Sequence, residues 1–460
     1  MKKYFGNKDF YKAVLIILVP VILQNGISNF VSMLDNIMVG QLGTEQMSGV
    51  AIVNQLLYVF YVSIFGGVAG PGLFGAQYYG KGDDEGMRYT FRYKIYICLI
   101  ITVIGTGVLI AFGPQLISLY LNDTAGTGNA VLALKYGKVY LGIILFSFIF
   151  YAITQIYASS LRETGQTVVP MISGMIAVGV NIILDYIFIF GKMGVPALGV
   201  KGAAVATVIA RIVECLINII WAHKNKERNR FVVGLYRSLK IPAKLVVEIT
   251  KKGAPLIINE ILWALGTALI AQCYAFRGLD GVAAYNISTV ISNVFSSVFF
   301  SFGTSISVMV GQLLGANKIE EAKDTDRKLL TFAVLVSIVI AVMLTFIAEL
   351  FPDIYNTSEN VKSIATGLIL ATAVVMPLQS YANAAYFTIR SGGRTGITFL
   401  FDSGFVWVIM LPSAYCIAHF TAIPLITMYL IVQGSEVIKC IIGAIMIKNG
   451  IWAKNIVSEI

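Results

Sequence analysis

Ser160-Leu161-Arg162-Glu163-Thr164-Gly165-Gln166-Thr167 returns in altered form as Thr388-Ile389-Arg390-Ser391-Gly392-Gly393-Arg394-Thr395, 228 residues later in a chain of 460. Closer to the amino terminus, an offset of 235 residues aligns Pro20 with Pro255, Gly43 with Gly278, Gln77 with Gln312, Gly80 with Gly315 and Glu85 with Glu320. One shorter connection in the second copy accounts for the smaller second offset. A repeat this long is no solenoid unit, and in an apolar chain it indicates two lobes of a membrane transporter around a central cavity.

The composition supports a membrane protein. The chain is 57% hydrophobic and 13% charged, and its mean hydropathy is +0.80. We therefore predict an all-α membrane protein with twelve transmembrane helices, because apolar stretches long enough to cross a bilayer recur twelve times. The predicted spans are 13–37, 47–70, 93–113, 131–157, 168–190, 200–222, 253–275, 281–309, 329–350, 363–388, 396–417 and 423–447.

The repeat divides these spans into two six-helix lobes. We expect an N-terminal lobe over residues 1–222, a cytoplasmic linker over 223–252 and a C-terminal lobe over 253–460. The linker is the only long polar connection, and we expect an amphipathic helix in it near residues 241–250.

Basic residues predict the orientation. If loops alternate between the two sides, 26 Lys and Arg residues fall on the side of both termini and six on the other. The positive-inside rule then places both termini in the cytoplasm, and the chain in the cytoplasmic (inner) membrane. The same residues give the chain its net charge of +10. Because they serve to orient the protein and to attract anionic lipids, no nucleic-acid partner is expected.

Missing motifs narrow the function. The chain has no GxxxxGK[ST] phosphate loop, no G-x-S-x-G and no H-E-x-x-H, so we expect neither an ATP-driven pump nor an enzyme. The five cysteines lie within predicted spans at no metal-like spacing, and His223 and His419 lie in or beside loops. We expect no resident cofactor, and transport driven by an ion gradient remains.

Acidic residues inside spans are the first functional candidates, since a charge within the bilayer is costly and usually functional. Glu214, Asp402 and Glu436 lie towards the cytoplasmic ends of their spans, so we expect them to form ion pairs. Their expected partners are Arg211, Arg394 and Lys439, respectively.

Asp35 and Asp185 differ, because both fall in the outer half of the membrane at similar depth. Asn181 lies one helical turn before Asp185, on the same face. Under the repeat, Asp35 aligns with Ile270, and Asn181 and Asp185 align with Ile409 and Ser413. The scaffold was duplicated without these polar residues, which favours a specialised ion site in the N-terminal lobe.

Polar stripes on other helices indicate a substrate cavity. One stripe on the first helix contains Gln24, Asn25, Ser28 and Ser32, which cannot face lipid. Glu260 aligns with Asn25 and gives the C-terminal lobe an acid of its own. That lobe also carries Asn286, Thr289, Asn293, Gln379 and Asn383, and ring faces for a cation on Tyr381 and Tyr386.

These features resemble a known family. The segments Leu34-Asp35-Asn36-Ile37-Met38-Val39-Gly40-Gln41-Leu42-Gly43 and Leu198-Gly199-Val200-Lys201-Gly202-Ala203-Ala204-Val205-Ala206-Thr207, with Gln77-x-x-Gly80 and its copy at Gln312, are similar to the multidrug and toxic compound extrusion (MATE) transporters. The resemblance covers nearly the whole chain. It implies a V-shaped pair of six-helix lobes that exports organic, often cationic, small molecules through the lipid bilayer in exchange for Na⁺ or H⁺, and we expect a monomer.

Within that family the chain most resembles the DinF-like branch. The resemblance assigns the cation site of the N-terminal lobe to Asp35, Asn181, Asp185 and Thr207, and a proline bend of the first helix to Pro20. NorM-like members have an acid in the tenth helix where this chain has Gln379. Glu260 matches a glutamate that many members carry in the seventh helix, so it remains a cation-coupling candidate.

Two questions stay open at the level of sequence. The aspartates could exchange a proton, or could bind Na⁺ with Asp35, Asn181, Asp185 and Thr207 as oxygen ligands. The alternative function is a flippase for a lipid-linked precursor, which would be expected to carry more basic residues in its cavity. A membrane-bound transferase or receptor is the third reading, and the chain has no catalytic constellation that supports it.

Overall fold

The computed structural model describes residues 4–122, 130–355 and 357–458, apart from the side chains of residues 29–33, 36, 37, 44 and 120–122. Ser32 and Asn36, both used in the sequence analysis, therefore have side chains outside the described set. All regular structure within these ranges is helical.

Fifteen α-helices follow one another along the described residues. They are α1 (Lys8–Gly40), α2 (Thr44–Lys81), α3 (Asp84–Asn122), α4 (Ala130–Ile144), α5 (Ser147–Glu163), α6 (Val168–Phe190), α7 (Val200–Lys224), α8 (Ala243–Ala275), α9 (Leu279–Gly315), α10 (Ile319–Ile347), α11 (Glu359–Ser391), α12 (Thr395–Phe399), α13 (Leu411–Phe420), α14 (Leu425–Gly434) and α15 (Glu436–Lys448). Two π-helical segments, Leu400–Gly404 and Val406–Met410, join α12 to α13.

Up to twelve of these segments are long and apolar enough to cross a bilayer, which confirms the predicted fold class. Eleven are uninterrupted or nearly so, and the twelfth is α4 with α5, which meet at an angle of 49°. The predicted spans 168–190 and 200–222 match α6 and α7 closely. Other helices run past their predicted ends, because polar residues in helical register lengthen them beyond the apolar stretch.

The helices form two compact units. The N unit contains Val19–Gly75 and Asp84–Val246, and the C unit contains Met1–Leu18, Ala76–Asp83 and Val247–Ile460. The start of α1 and the end of α2 thus belong to the C unit.

Within the N unit, α6 and α7 pack closely through Gly202. A Cβ atom on Gly202 would lie 2.6 Å from the backbone carbonyl carbon of Phe188. The polar connection that follows α7 covers the N-terminal end of α3, where the Arg92 guanidinium donates to the carbonyl oxygens of Leu235 and Lys240, both at 3.0 Å. The largest polar connection of the chain is therefore an ordered part of this unit.

In the C unit the ends of α2 and α9 cross at the duplicated glycines. A Cβ atom on Gly80 would lie 1.9 Å from the Gln312 carbonyl oxygen, and one on Gly315 would lie 1.9 Å from that of Gln77. No side chain fits at that distance, so both copies of the motif require glycine. The repeat found in the sequence therefore has a structural cause at these positions.

The predicted amphipathic helix is the first part of α8. Leu245 and Ile249, one turn apart, are buried, whereas Lys244 and Lys251 are exposed. The helix begins at Ala243 and continues without a break into the next span. The segment predicted as a linker therefore ends in helix.

Candidate functional site

Asp35 and Asp185 lie together in the N unit. The side chain of Asp35, from the second half of α1, interacts directly with that of Asp185 from α6, and Asn181 interacts with Asp185 from one turn earlier. Asp185 is 2% exposed and Asn181 6% exposed. The structure thus brings together three of the predicted cation-site residues.

These three side chains have unused hydrogen-bonding capacity. Asp35 Oδ1, Asp185 Oδ1 and Asn181 Nδ2 are buried and have no hydrogen-bond partner among the described residues. An unsatisfied buried polar atom costs about 1–3 kcal/mol, and more if it is charged. Two adjacent carboxylates are stable in such surroundings only with a proton or a cation between them. The oxygen atoms are also the ligands that a hard monovalent cation prefers, so the residues fit either ion.

Tyr140 borders the acid pair and hydrogen-bonds to Asn54, and the sequence analysis missed both residues. The Tyr140 hydroxyl donates to Asn54 Oδ1 at 3.4 Å, contacts the Thr207 side chain and lies within electrostatic range of both aspartates. Thr207 Oγ1 donates to the Ala203 carbonyl oxygen at 3.0 Å. Tyr140 was missed because a tyrosine in an apolar helix resembles ordinary core, and only the fold brings α4 to α7.

The first helix carries the remaining N-unit candidates. Gln24 Nε2 donates to the Pro170 carbonyl oxygen at 3.2 Å, which fixes α1 against α6. Asn25 is partly buried and Ser28 is exposed, while Pro20 is buried within a helix that continues on both sides of it.

In the C unit, Glu260 is held by partners from α11. The Tyr386 hydroxyl donates to Glu260 Oε1 at 3.2 Å, and Arg390 Nη1 lies 3.8 Å from the same oxygen. Asn259 links this group onward, because its Nδ2 donates to Asp402 Oδ2 at 3.0 Å. Glu260 is thus already paired, whereas Asp35 has an unused oxygen.

One predicted ion pair is wrong. Asp402 pairs with Lys439, whose Nζ lies 2.7 Å from Asp402 Oδ1, whereas Arg394 donates to the Ile451 carbonyl oxygen at 3.3 Å. Arg394 precedes α12 and Asp402 lies about two helical turns further along, too far for a contact, whereas Lys439 reaches Asp402 from α15. The predicted pairs Arg211–Glu214 and Lys439–Glu436 are present, at 2.9 and 3.9 Å.

The polar cavity candidates of the C unit separate into two groups. Gln379 Nε2 donates to Gln433 Oε1 at 3.1 Å, and Gln433 Nε2 donates to the Tyr274 hydroxyl at 3.4 Å. Asn383 Oδ1 is buried without a partner among the described residues, and Tyr381 is partly buried. Asn286 and Asn293 are exposed on α9.

Three further buried ionisable side chains, Lys94, Glu163 and Asp326, were missed at the helix ends. Lys94 Nζ lies 2.6 Å from Glu163 Oε1 and donates to Ser160 Oγ at 2.9 Å. Asp326, 0% exposed, accepts a hydrogen bond from Thr388 Oγ1. The sequence analysis put these residues at or beyond the ends of the predicted spans, because the apolar stretches end before them. The repeat offered a signal, since it aligns Ser160 with Thr388.

No group of three or more His, Cys, Asp and Glu side chains within the described ranges could hold a metal ion. Any Na⁺ at the acid pair would therefore depend on two carboxylates supplemented by amide and hydroxyl oxygens. Buried acids with unused oxygens inside a bundle of apolar spans are typical of a membrane transporter.

Comparison with known proteins specifies the family. The MatE family model matches residues 20–187 and 255–416, so the chain belongs to the MatE family. It is 22% identical to the "Probable multidrug resistance protein YoeA" of Bacillus subtilis over 92% of this chain and 90% of the relative. It is 23% identical to the "Probable multidrug resistance protein NorM" of Thermotoga maritima over 98% of this chain and 94% of the relative.

The fold is shared with solved structures. An "Outward-facing conformation of a multidrug resistance MATE family transporter of the MOP superfamily" superposes with a TM-score of 0.84 at 18% identity, over 98% of each chain. The resemblance seen in the sequence is thereby confirmed at the level of the family. Its DinF-like assignment stays a prediction, since the relatives above carry the names YoeA and NorM.

Proposed function

We propose that this protein is a cation-coupled antiporter that exports amphipathic organic, often cationic, compounds across the cytoplasmic membrane, with Asp35 and Asp185 as its coupling site. The observation that carries the proposal is the contact between two buried carboxyl groups that each keep an oxygen without a partner. A structural ion pair would have used those oxygens. The family and the names of the relatives support multidrug export.

The acid pair provides a site whose charge depends on what is bound. Without a cation the two carboxylates repel each other, and one proton or one Na⁺ between them removes that repulsion. Asn181 interacts with Asp185 and Thr207 with the Tyr140 hydroxyl, and in this proposal both help to orient the bound ion. Tyr140 connects Thr207 with Asn54 on α2, so side chains from five helices, α1, α2, α4, α6 and α7, belong to the proposed ion site.

The membrane potential supplies the driving force for inward movement of the ion. One positive charge that moves inward releases about 2.3 kcal/mol per 100 mV. Pro20 offers a point at which α1 can respond, because proline cannot donate a backbone hydrogen bond and bends a helix readily. Asp35 lies on the same helix as Pro20, so ion binding at Asp35 and bending at Pro20 both involve α1.

Arg211 and Lys439, the two basic residues that the sequence places well inside spans, do not favour a lipid-diphosphate flippase. Arg211 is paired with Glu214 at 2.9 Å and Lys439 with Asp402 at 2.7 Å. A diphosphate needs cations with free donors. These two side chains direct their charge at carboxylates of their own unit, and we therefore favour export of organic compounds.

The test is efflux of a fluorescent organic cation from reconstituted vesicles under separately imposed Na⁺ and H⁺ gradients. We expect one of the two gradients to drive efflux in the wild type and neither to do so in Asp35→Asn. Efflux that is equally fast without either gradient would contradict ion coupling.

A further inference from the structure

A continuous chain of polar side chains crosses the C unit. It runs from Glu260 through Tyr386 and Asn259 to Asp402, with contacts of 3.2, 3.3 and 3.0 Å. It then reaches Lys439 at 2.7 Å and Glu436 at 3.9 Å, while Arg390 joins beside Glu260 at 3.8 Å. Helices α8, α11 and α15 and the π-helical turn at Asp402 all contribute.

The charges in this network do not balance. It contains three carboxylates, from Glu260, Asp402 and Glu436, but two cations, from Arg390 and Lys439. All five side chains are at most 16% exposed. A surplus charge is costly at such burial, so the network requires one more positive charge than the chain provides.

The repeat shows that the surplus is specific to the C unit. Helices α7 and α14 begin 225 residues apart, at Val200 and Leu425, which aligns the pair Arg211–Glu214 with Glu436–Lys439 and reverses its sign. In the N unit the position of Asp402 is occupied by Gly174, under the offset of 228. Glu214 Oε1 lies 3.8 Å from where a Gly174 Cβ would be. Asp402 is thus an added carboxylate, next to a pair that was balanced without it.

The missing charge is localised at Glu436. Lys439 lies much closer to Asp402 than to Glu436, at 2.7 against 3.9 Å. Glu436 is 9% exposed, and its Oε2 has no hydrogen-bond partner among the described residues. We propose that Glu436 is a proton-binding site of the C unit, in which Asp402 and Glu436 share the single ammonium of Lys439 and the carboxylate further from it carries a proton.

A proton suits this position better than Na⁺. The ammonium of Lys439 already lies between the two carboxylates, where an alkali cation would have to bind. The titratable and charged groups that act on Glu436 are Lys439 and Cys440 on its own helix and Asp402 from the π-helical turn. From α11, Tyr381 acts on Cys440, and Tyr386 and Arg390 lie beyond Asp402 at Glu260. A bare alkali cation prefers several oxygen ligands, and a proton needs one.

The experiment is infrared spectroscopy of the full-length protein in lipid nanodiscs, read at the carboxylic-acid C=O band as pH is varied. The parent is the Asp35→Asn/Asp185→Asn double variant, so the result does not depend on the coupling site proposed above. We expect one carboxylic acid to be lost from the parent spectrum in Glu436→Gln. Other buried acids, including Asp326, cancel in the difference spectrum.

Asp402→Asn distinguishes charge sharing from simple titration of Glu436. In this variant Glu436 is still present and is the only carboxylate left to pair with Lys439. The charges of the network then balance, so Glu436 needs no proton and the same band should disappear. Glu214→Gln is the matched control, since its carboxylate is paired at 2.9 Å, and it should leave the band unchanged. If the band survives in Glu436→Gln, Glu436 is not the proton-binding site. If it survives in Asp402→Asn, the two carboxylates do not share the ammonium of Lys439. If added Na⁺ releases the proton, the site binds an alkali cation instead.

Discussion

At the scale of single residues, the two classes of buried acid differ in what their oxygens contact. Asp35 and Asp185 each keep a buried oxygen without a partner among the described residues, whereas Asp402 accepts from Asn259 and Lys439. An acid that is satisfied within the protein has little need of an external ion. This difference supports the coupling role proposed for the first pair and predicts unequal effects of neutral substitutions.

We expect Asp35→Asn and Asp185→Asn each to leave the protein folded in detergent, because the amide keeps the size of the side chain. Each should abolish gradient-driven efflux, because an amide cannot exchange a proton or carry the charge that holds Na⁺. Asp402→Asn should reduce efflux much less. Efflux from vesicles and size-exclusion profiles measure the two effects. If both N-unit variants still transport, the coupling site is elsewhere, and inactivity of Glu260→Gln alone would contradict the DinF-like assignment.

Tyr140→Phe tests the border of the acid pair. The change removes the hydroxyl that contacts Thr207 and donates to Asn54 while it keeps the ring. Loss of one such hydrogen bond costs about 1 kcal/mol, so the apparent affinity for the coupling ion should fall about fivefold. The dependence of efflux rate on ion concentration measures this shift. An unchanged dependence would show that the hydroxyl is structural.

Gln379 and Tyr381 belong to the predicted substrate surface. Contacts with uncharged polar groups and ring faces are individually weak and tolerate different shapes. Alanine at either position should therefore change which compounds are exported without removing ion dependence, as measured with a panel of fluorescent substrates. A uniform loss for all compounds, equal to that of Asp35→Asn, would place these residues in the coupling machinery.

At the scale of elements, the sequence predicted what depends on periodicity and missed what depends on tertiary contact. Apolar length located all twelve spans, and α6 matched its prediction over residues 168–190. Spacing also brought Asn181 beside Asp185, since both lie on one helix. No feature of the sequence predicted the contact between Tyr140 and Thr207. Helical periodicity also did not predict the π-helical segment in which Asp402 contacts Lys439.

The crossing of α2 and α9 predicts which glycines tolerate a side chain. Gly80→Ala would place Cβ 1.9 Å from a backbone oxygen, and backbone cannot move aside as a flexible side chain does. Such overpacking typically costs about 1–3 kcal/mol, so we expect a lower thermal unfolding temperature in detergent. Gly107→Ala is the control, because nothing lies within 4 Å of its added Cβ atom. Equal unfolding temperatures would contradict the crossing.

At the scale of the whole molecule, duplication preserved the places of some buried polar contacts but not the sign of the charges that make them. Ser160 accepts a hydrogen bond from Lys94, while its counterpart Thr388 donates to Asp326. The pairs Arg211–Glu214 and Glu436–Lys439 are likewise reversed. The scaffold therefore requires a polar contact at these places without fixing its polarity. Each copy was free to acquire polar residues of its own, as the Asp35–Asp185 pair of the N unit illustrates.

Orientation in the membrane is the remaining whole-molecule property, and the distribution of basic residues predicts it. Asn122, whose side chain lies outside the described set, and Asn356, outside it altogether, are on predicted external loops, and Asn229 is on the predicted internal one. Asn229 is 0% exposed, so it would resist labelling on either side. Glu227, which is exposed, replaces it, and Met193, 86% exposed, serves as the external position.

In whole cells with the exposed Cys416 replaced by alanine, Met193→Cys should react with a membrane-impermeant thiol reagent and Glu227→Cys should not. After permeabilisation both should react, which controls for local access. The expected result follows because 26 basic residues lie on the side of Glu227 and six on the other, and basic loops are retained in the cytoplasm. Labelling of Glu227→Cys but not Met193→Cys in intact cells would invert the topology. It would also put the Asp35–Asp185 pair in the cytoplasmic half of the membrane, instead of the outer half predicted from the sequence.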